Sequence, residues 1–297
     1  MSKVIKGFLI AACVCILVGI IMLIGVVAGG GANVVADALR DGVYFSENGF
    51  HVGGSVIFED TADMKFDEGK EMEFAAGEIK NLDIELAAGT FEIVEADTDK
   101  IIIRSAKKIR AGQSGKTLEV DTDKGVKVNV FGVTNEGNHV EITLPKGKNF
   151  HKIDLEVGAG QLNATPIISD EIEMEIGAGS IISDGFVCKK AKISVGAGEA
   201  IVNNGAAGYL NLDVGLGDLQ YTGSLMGDLD ADCGMGNMDI DLDGLEEDYN
   251  YQIDVGMGDI SVGHNRYGGM AQSKDIDNDA DKDMDLDCGM GSINIKF

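Results

Sequence analysis

Carboxylate side chains recur at one position of a repeated Gly-x-Gly motif, and their type and spacing could bind cations. Two residues before the first glycine lie Glu156, Glu175, Ser194, Asp213, Asp232, Asp254 and Asp287. If the repeats stack in register, equivalent carboxylates lie about 5 Å apart, which is unfavourable unless solvent or cations screen them. Divalent cations would relieve this repulsion. The sequence therefore leaves two alternatives open, a calcium-binding ladder or, as the default, a solvated acidic face.

A second acidic segment alternates in the manner of an EF-hand loop. Its carboxylates are Asp275, Asp277, Asp279, Asp281 and Asp283. An EF-hand loop also needs a glycine at its sharp turn and a bidentate glutamate at its end. Ala280 and Leu286 stand at those two positions, so the match is incomplete. Calcium binding by Asp275–Asp283 stays open, and we assign no residue as a metal ligand.

The other residues that catalysis needs do not form a recognisable set. The histidines, His51, His139, His151 and His264, never have a metal-ligand spacing such as His-x-x-x-His, and no Gly-x-Ser-x-Gly elbow occurs. A glycan-active enzyme on a β-helix is a hypothesis because paired carboxylates are abundant. Against it, sugar sites favour aromatic platforms, and the chain has 0 Trp and 6 Tyr. We predict no enzyme, no catalytic residue and no cofactor.

The glycine motifs mark a repeat that predicts the fold. The first glycines are Gly158, Gly177, Gly196, Gly215, Gly234, Gly256 and Gly289, with steps of 19, 19, 19, 19, 22 and 33. Before each motif apolar and charged residues alternate, which predicts a strand with one buried face. Coils of this length, stacked about 4.8 Å apart, predict an all-β fold, a single-chain β-solenoid. The glycines would form its corners because glycine adopts backbone angles that other residues resist.

Stacking the coils in chain order, with the last two steps interpreted as surface insertions, makes predictions about individual positions. The residue between the glycines, which changes from Ala159 to Met290, is expected to form an interior row where Met fills space. Cys233 and Cys288 would be two coils apart, roughly 10 Å, so no disulfide is expected between them. The final coil, ending at 293–297, has no polar cap, so its edge is expected to be open to another chain.

The amino-terminal residues predict a membrane anchor. Residues 7–28 carry no charge, and at about 1.5 Å per residue they span a hydrocarbon core of roughly 30 Å. Lys3 and Lys6 precede them, so the positive-inside rule predicts a short cytoplasmic tail at 1–6 and an extracytoplasmic remainder in a single-pass cell-membrane protein. The alternatives are cleavage of a signal peptide near residues 36–38 and lipidation of Cys13.

Composition and pattern divide the rest of the chain. Residues 29–70 are predicted to be a juxtamembrane linker with a short helix at 32–40, residues 71–150 an irregular β part of the solenoid, and residues 151–297 its regular repeats. Lys and Arg number 24 against 50 Asp and Glu, a net charge of -26 among 297 residues. Such a chain repels phosphate backbones, so we predict no nucleic-acid partner.

Three stretches of the sequence resemble a known family. These are Ile84 to Ile93 (IELAAGTFEI), Val140 to Gly147 (VEITLPKG) and the Gly-x-Gly strand repeats that follow. Together they resemble the bacterial putative adhesin family, a domain of unknown function with β-strand repeats behind an amino-terminal membrane helix, over residues 70 to 297. The resemblance implies a β-solenoid at the cell envelope and no catalytic residues.

These observations predict a non-enzymatic, membrane-anchored extracytoplasmic scaffold or adhesin. Its partner would be a surface polymer or an envelope protein, besides the membrane itself. The alternative is an accessory component of an envelope-stress or sensing system. A tail of six residues cannot hold a signalling domain, so in that case the signal would pass through a membrane partner.

Overall fold

The computed structural model describes residues 43–46, 49–52, 67–122 and 138–297. The predicted anchor at 7–28 and the predicted helix at 32–40 lie outside these residues. Within the described residues, no helix is both long enough and apolar enough to cross a membrane. Inside the segment interpreted as a linker, β1 (Val43–Ser46) and β2 (Gly49–Val52) pair as an antiparallel hairpin.

The remaining described residues are mostly β and form one continuous sheet of 21 strands. The first group is β3 (Asp67–Ala75), β4 (Asn81–Leu86), β5 (Gly89–Ala96), β6 (Lys100–Ser114), β7 (Thr117–Asp121) and β8 (Asn138–Pro145). The second group is β9 (Asn149–Val157), β10 (Gln161–Ala164), β11 (Ile167–Ile176), β12 (Ser180–Ser183), β13 (Phe186–Val195), β14 (Glu199–Val214) and β15 (Asp218–Leu225). The third group is β16 (Leu229–Cys233), β17 (Asn237–Asp243), β18 (Tyr249–Val255), β19 (Asp259–Val262), β20 (Asn265–Gly268), β21 (Gln272–Ile276), β22 (Lys282–Cys288) and β23 (Ser292–Lys296).

Each regular coil, here called a rung, consists of one strand before the Gly-x-Gly and one strand after it. β9 pairs with β11 in parallel, with Ile153 opposite Ile172. β10 pairs with β12 in parallel, with Leu162 opposite Ile181. Each residue therefore lies against the residue 19 positions further on, as the repeat predicts. The result is the expected solenoid-like sheet.

Alternation of side chains builds the core. Ile153, Leu155 and Val157 are at most 1% exposed and point inward from β9, and Leu162 does so from β10 at 0%. The buried positions thus change from odd to even numbers across the Gly-x-Gly. The buried side chains of all rungs join one apolar cluster, so stacking supplies the burial that a single coil lacks.

The corner glycines are required for a reason that differs from the expected one. Among the described glycines with positive φ, none belongs to the seven Gly-x-Gly motifs. Instead, a Cβ on Gly179 would lie 2.3 Å from the carbonyl oxygen of Gly160, and one on Gly198 would lie 2.1 Å from that of Gly179. Successive backbones approach too closely at the corner for any side chain. The prediction of special backbone angles was wrong.

The last rungs do not stack in chain order. β16 pairs in parallel with β22, so Cys233 lies opposite Cys288. β22 in turn pairs with β18, so Cys288 lies opposite Val255. The carboxyl-terminal rung β22/β23 is therefore inserted between β16/β17 and β18/β19. The three extra residues that make this glycine step 22 instead of 19 fall in a segment with a helical turn, η1 (Glu246–Asp248). There the chain skips one rung position, which β22 and β23 at its carboxyl end later fill.

This insertion corrects the prediction of an open edge at the last coil. β23 pairs with β17 on one side and with β19 on the other, so it is an interior strand. The outer rung is β18/β19, and antiparallel partners cover both of its strands, β21 on β18 and β20 on β19. At the opposite end of the stack, β6 pairs antiparallel with both β7 and β8.

Candidate interaction surface

The predicted acidic column forms a row along the outer face of the strands before the corners. Register places Glu156 opposite Glu175 in β9 and β11. It also places Asp213 opposite Asp232, Asp232 opposite Asp287, and Asp287 opposite Asp254. The column is as predicted, but Asp287 precedes Asp254 because the last rung is inserted. We call Asp213, Asp232, Asp287 and Asp254 the acidic row.

In the rungs that begin with β9, β11 and β13, lysine side chains lie beside the carboxylates. Lys152 Nζ lies 2.8 Å from Asp154 Oδ1 and 3.2 Å from Glu173 Oε2. Lys192 Nζ lies 2.7 Å from Glu173 Oε1 and 3.8 Å from Glu175 Oε1. Hydrogen bonding from Lys192, together with that from Lys152, holds the pKa of Glu173 below its usual value. The outer face is charge-compensated here.

The acidic row has a different electrostatic environment. Neither its own column nor the column two residues earlier contains a lysine or arginine on β14, β16, β22 or β18. Burial, followed by repulsion from Asp232 and Asp254, raises the pKa of Asp287 to about 6. The pKa values of Asp232 and Asp285 are also raised, first by burial and then by neighbouring aspartates. Carboxylates held together in this way favour a proton or a cationic partner.

The alternating segment Asp275–Asp283 is organised by an amide side chain. Asn250 Oδ1 accepts hydrogen bonds from the backbone N–H groups of Asn278, at 2.9 Å, and Ala280, at 3.2 Å. Asn250 Nδ2 donates to the carbonyl of Ala280 and to Asp283 Oδ1, both at 2.9 Å. These contacts build the loop around β18. In the described part of the chain, no group of three or more His, Cys, Asp or Glu is arranged to hold a metal ion.

The histidines do not come together. His151 Nδ1 lies 3.0 Å from Asp170 Oδ2 on the surface, and His139 and His264 are exposed elsewhere. The side chain of His51 lies outside the described residues.

The row between the glycines points outward, so its predicted interior position was wrong. Its members in stack order are Ala159, Ala178, Ala197, Leu216, Met235, Met290 and Met257, all exposed. Both glycines of each motif lie against a neighbouring rung, so the residue between them projects from the tip of the corner. Strand alternation does not fix the direction of a side chain at such a corner. We call Leu216, Met235, Met290 and Met257 the apolar ridge.

The alanine part of this row borders a shallow, open groove. It is lined by small residues, including Gly160, Gly179 and Gly198, and by a few polar ones, among them Thr90 and Glu199. The same corner is therefore a groove in the early rungs, which begin with β9, β11 and β13, and a ridge in the late rungs, which begin with β14, β16, β22 and β18.

Two thiols that were predicted to be far apart are neighbours. Cys233 and Cys288 face each other on adjacent strands as free cysteines, 3% and 0% exposed. Their hydrogen bond, together with burial, raises the pKa of the Cys233 thiol. The estimate of roughly 10 Å assumed chain order and was wrong because β22 is inserted beside β16. Cys188 is also buried, and burial raises its pKa to about 12.

Several solved structures of bacterial proteins match this chain along most of their length at low sequence identity. A putative adhesin from Bacteroides fragilis is 12% identical, with 77% of this chain and 97% of that chain covered and a TM-score of 0.41. A putative lipid binding protein from Parabacteroides distasonis is 14% identical, with 77% and 96% covered and a TM-score of 0.45. A putative cell adhesion protein from Clostridium sporogenes is 14% identical, with 78% and 99% covered and a TM-score of 0.32. At these scores the likenesses carry no argument about function.

A family match identifies the fold family of the chain. A search of curated proteins returned no match. Residues 79–287, more than two thirds of the 297, match the family described as Toastrack DUF4097. This confirms the resemblance to a putative adhesin family with β-strand repeats. The chain belongs to the Toastrack DUF4097 family.

Proposed function

We propose that the chain is a non-enzymatic interaction scaffold, an adhesin, anchored by residues 7–28 in a bacterial cell membrane with its solenoid outside. The observation that carries the proposal is the outer surface of the late rungs. There the acidic row runs beside the apolar ridge on a sheet whose strands are paired on both sides. Exposed apolar patches bordered by polar groups are typical of interaction sites. The membrane location is supported by the uncharged run at 7–28 and by the resemblance of the sequence to a family of envelope proteins.

The arrangement of the carboxylates favours binding over catalysis. Neighbouring rungs bring Asp232 and Asp287 within about 5 Å of each other, which is also the spacing of a retaining glycosidase. However, these carboxylates lie on an open strand face. A glycosidase must enclose and distort a sugar ring, which requires a cleft. The corner of the late rungs is a ridge. We therefore keep glycan cleavage as an outcome of the test.

The test uses the full-length chain in a non-adherent bacterial host. Cells expressing it are incubated with labelled cell-wall, matrix and cell-surface preparations, and retained label is counted. Matched cells express a chain that lacks residues 67–297. We expect cells with the full-length chain to retain label from at least one preparation and cells with the truncated chain to retain none. Release of soluble sugar products would instead support an enzyme.

A second readout separates adhesion from the sensing alternative. Cross-linking on the same cells, followed by mass spectrometry, identifies the neighbours of the full-length chain. External polymer or surface protein as the main partner would support adhesion. A single membrane protein as the main partner, with no preparation retained, would contradict it and favour an accessory component of a sensing system.

A further inference from the structure

The apolar ridge consists of side chains that are exposed on four consecutive rungs. Leu216 is 60% exposed, Met235 52%, Met290 41% and Met257 65%. Backbone hydrogen bonds tie their rungs together, from Met235 N to Gly215 O at 2.8 Å, Met290 N to Gly234 O at 2.7 Å and Met257 N to Gly289 O at 2.6 Å. With rungs about 4.8 Å apart, the ridge is about 14 Å long.

Folding does not require large side chains at these corners. The equivalent corners of the earlier rungs carry Ala159, Ala178 and Ala197, and their backbones are paired in the same way. A large apolar side chain that stays in water gains nothing from the hydrophobic effect. The fold of the isolated chain therefore does not account for leucine and methionine at the ridge.

The charge beside the ridge selects the partner. The acidic row, three residues before each ridge residue, borders one flank along its whole length. On the other flank, two residues after the ridge, lie Asp218, Asn237, Ser292 and Asp259. The complement of this surface is an apolar stripe bordered by positive charge. A second copy of a chain with net charge -26, or an anionic membrane surface, would be repelled.

We propose that the apolar ridge docks a cationic amphipathic segment of a partner protein. Its apolar side chains cover Leu216 and the three methionines, and its lysines or arginines meet the acidic row. Methionine suits this task because its flexible, polarisable side chain adapts to different apolar partners. A helix of about ten residues is about 15 Å long and covers the ridge. The inference rests on the proposed scaffold function, because it names the partner class of that scaffold.

The direct test measures binding of a defined peptide. The full-length chain, in nanodiscs of zwitterionic phosphatidylcholine, is titrated with a peptide of about 14 leucines and lysines that places leucine on one helical face. Empty nanodiscs serve as the blank, and a peptide of the same composition in scrambled order is the control. We expect the amphipathic peptide to bind about tenfold more tightly than the scrambled one. Equal affinity would show that only charge is recognised and would overturn the proposal.

Two variants locate the binding. In the ridge variant, Leu216→Ser, Met235→Ser, Met290→Ser and Met257→Ser are combined. In the control variant, Val187→Ser and Met226→Ser remove apolar side chains that are 52% and 69% exposed but lie off the ridge. We expect the ridge variant to bind the peptide at least about tenfold more weakly and the control variant to bind it as the parent does. An unchanged affinity in the ridge variant would overturn the proposal.

The acidic row is tested by the salt dependence of binding. Replacement of Asp213, Asp232 and Asp254 by asparagine keeps the shape of the side chains and removes three charges. We expect weaker binding and a flatter dependence on salt, since fewer charges are screened. Tighter binding to anionic vesicles than to the peptide would contradict the charge argument.

The same variants distinguish the two proposals. If the ridge variant fails to bind the peptide but its cells retain the surface preparations, the scaffold function stands and the ridge is not its site. If the parent chain binds the peptide through the ridge but its cells retain no preparation, the adhesin function fails. Loss of both in the ridge variant, with both kept in the control variant, supports the two proposals together.

Discussion

The early and late rungs share one backbone unit but use its outer positions differently. In β9, β11 and β13 the rungs follow chain order, lysines pair with the carboxylates, and alanine occupies the corner. In β14, β16, β22 and β18 the order is broken by insertion, the acidic row has no lysine in its column, and leucine or methionine occupies the corner. The inward positions are apolar in both regions. Inward positions thus determine the fold, whereas outward positions are free to be specialised.

The two regions respond oppositely to a proton. The pKa of Glu173 is lowered by its hydrogen bonds from Lys192 and Lys152, so this carboxyl stabilises the fold in its charged form. The pKa of Asp287 is raised to about 6 by burial and by its aspartate neighbours, so this carboxyl stabilises the fold in its neutral form. Falling pH should therefore weaken the early rungs and strengthen the late ones.

The largest effect is expected from a cavity in the inserted rung. Leu286 in β22 is 0% exposed, so Leu286→Ala should lower the free energy of unfolding by about 2 to 5 kcal/mol. Because β22 lies between β16 and β18, amide hydrogen exchange should quicken in both neighbours. Leu155→Ala in β9, at an equivalent buried position, should instead quicken exchange in β4 and β11, the strands that pair with β9.

The control for that comparison is Met290→Ala on the same rung. This side chain is exposed at the ridge, so its loss should change the free energy of unfolding by less than about 0.5 kcal/mol. Unchanged exchange in β16 of the Leu286→Ala protein would contradict the insertion of β22.

A smaller effect is expected from removing the raised carboxyl. Asp287 is stabilising when protonated, so its contribution is present below its usual pKa of 3.8 and is lost as pH rises through about 6. Asp287→Asn should therefore raise the free energy of unfolding at pH 7.5 by about 1 kcal/mol, less than the full shift implies because the group is partly exposed. Denaturant unfolding between pH 5 and pH 8 measures this.

The matched variant in the early rungs is Glu173→Gln. It removes a carboxylate that stabilises the fold in its charged form, so it should lower stability at pH 7.5, and this loss should vanish as pH falls through the lowered pKa of Glu173. Opposite signs for Asp287→Asn and Glu173→Gln at pH 7.5 confirm the contrast between the regions. Equal signs would contradict it.

Among the charge variants, the smallest effect is expected from removing a lysine that pairs with carboxylates of the early rungs. Lys192→Met removes the ammonium group that contacts Glu173 and Glu175 while keeping most of the side-chain stem. Exposed ion pairs contribute little, so stability should fall by at most about 1 kcal/mol. The pKa of Glu173, measured by NMR titration, should rise. A pKa that does not move would show that Lys192 does not compensate this face.

Much of the fold could be predicted from the sequence because it depends on local pattern. The alternation of Ile153, Leu155 and Val157 identifies strands and their inner face, and the glycine steps give the coil length. Rung order could not be predicted in this way, since a coil of given length can pair with any neighbour of matching shape. The step of 22 is compatible with the observed order, because three extra residues let the chain reach a rung further on, but a surface insertion would give the same step.

The candidate site was only partly predictable. The acidic column followed from the repeat, and so did the close spacing of its carboxylates. The apolar ridge was missed because its residues were assigned to the interior, and nothing local fixes the direction of a side chain between two corner glycines. A signal was present in the change from Ala197 to Leu216, since an interior row would need compensating changes in the residues facing it.

The insertion of the last rung is the central claim, and cross-linking at the ridge tests it most directly. Met235→Cys combined with Met290→Cys places thiols on adjacent rungs, whereas Met235→Cys combined with Met257→Cys places them two rungs, about 10 Å, apart. Mild oxidation of the full-length proteins, followed by peptide mass spectrometry, detects the disulfide. The structure predicts a bridge in the first pair and none in the second. A bridge in the second pair alone would show that the rungs stack in chain order.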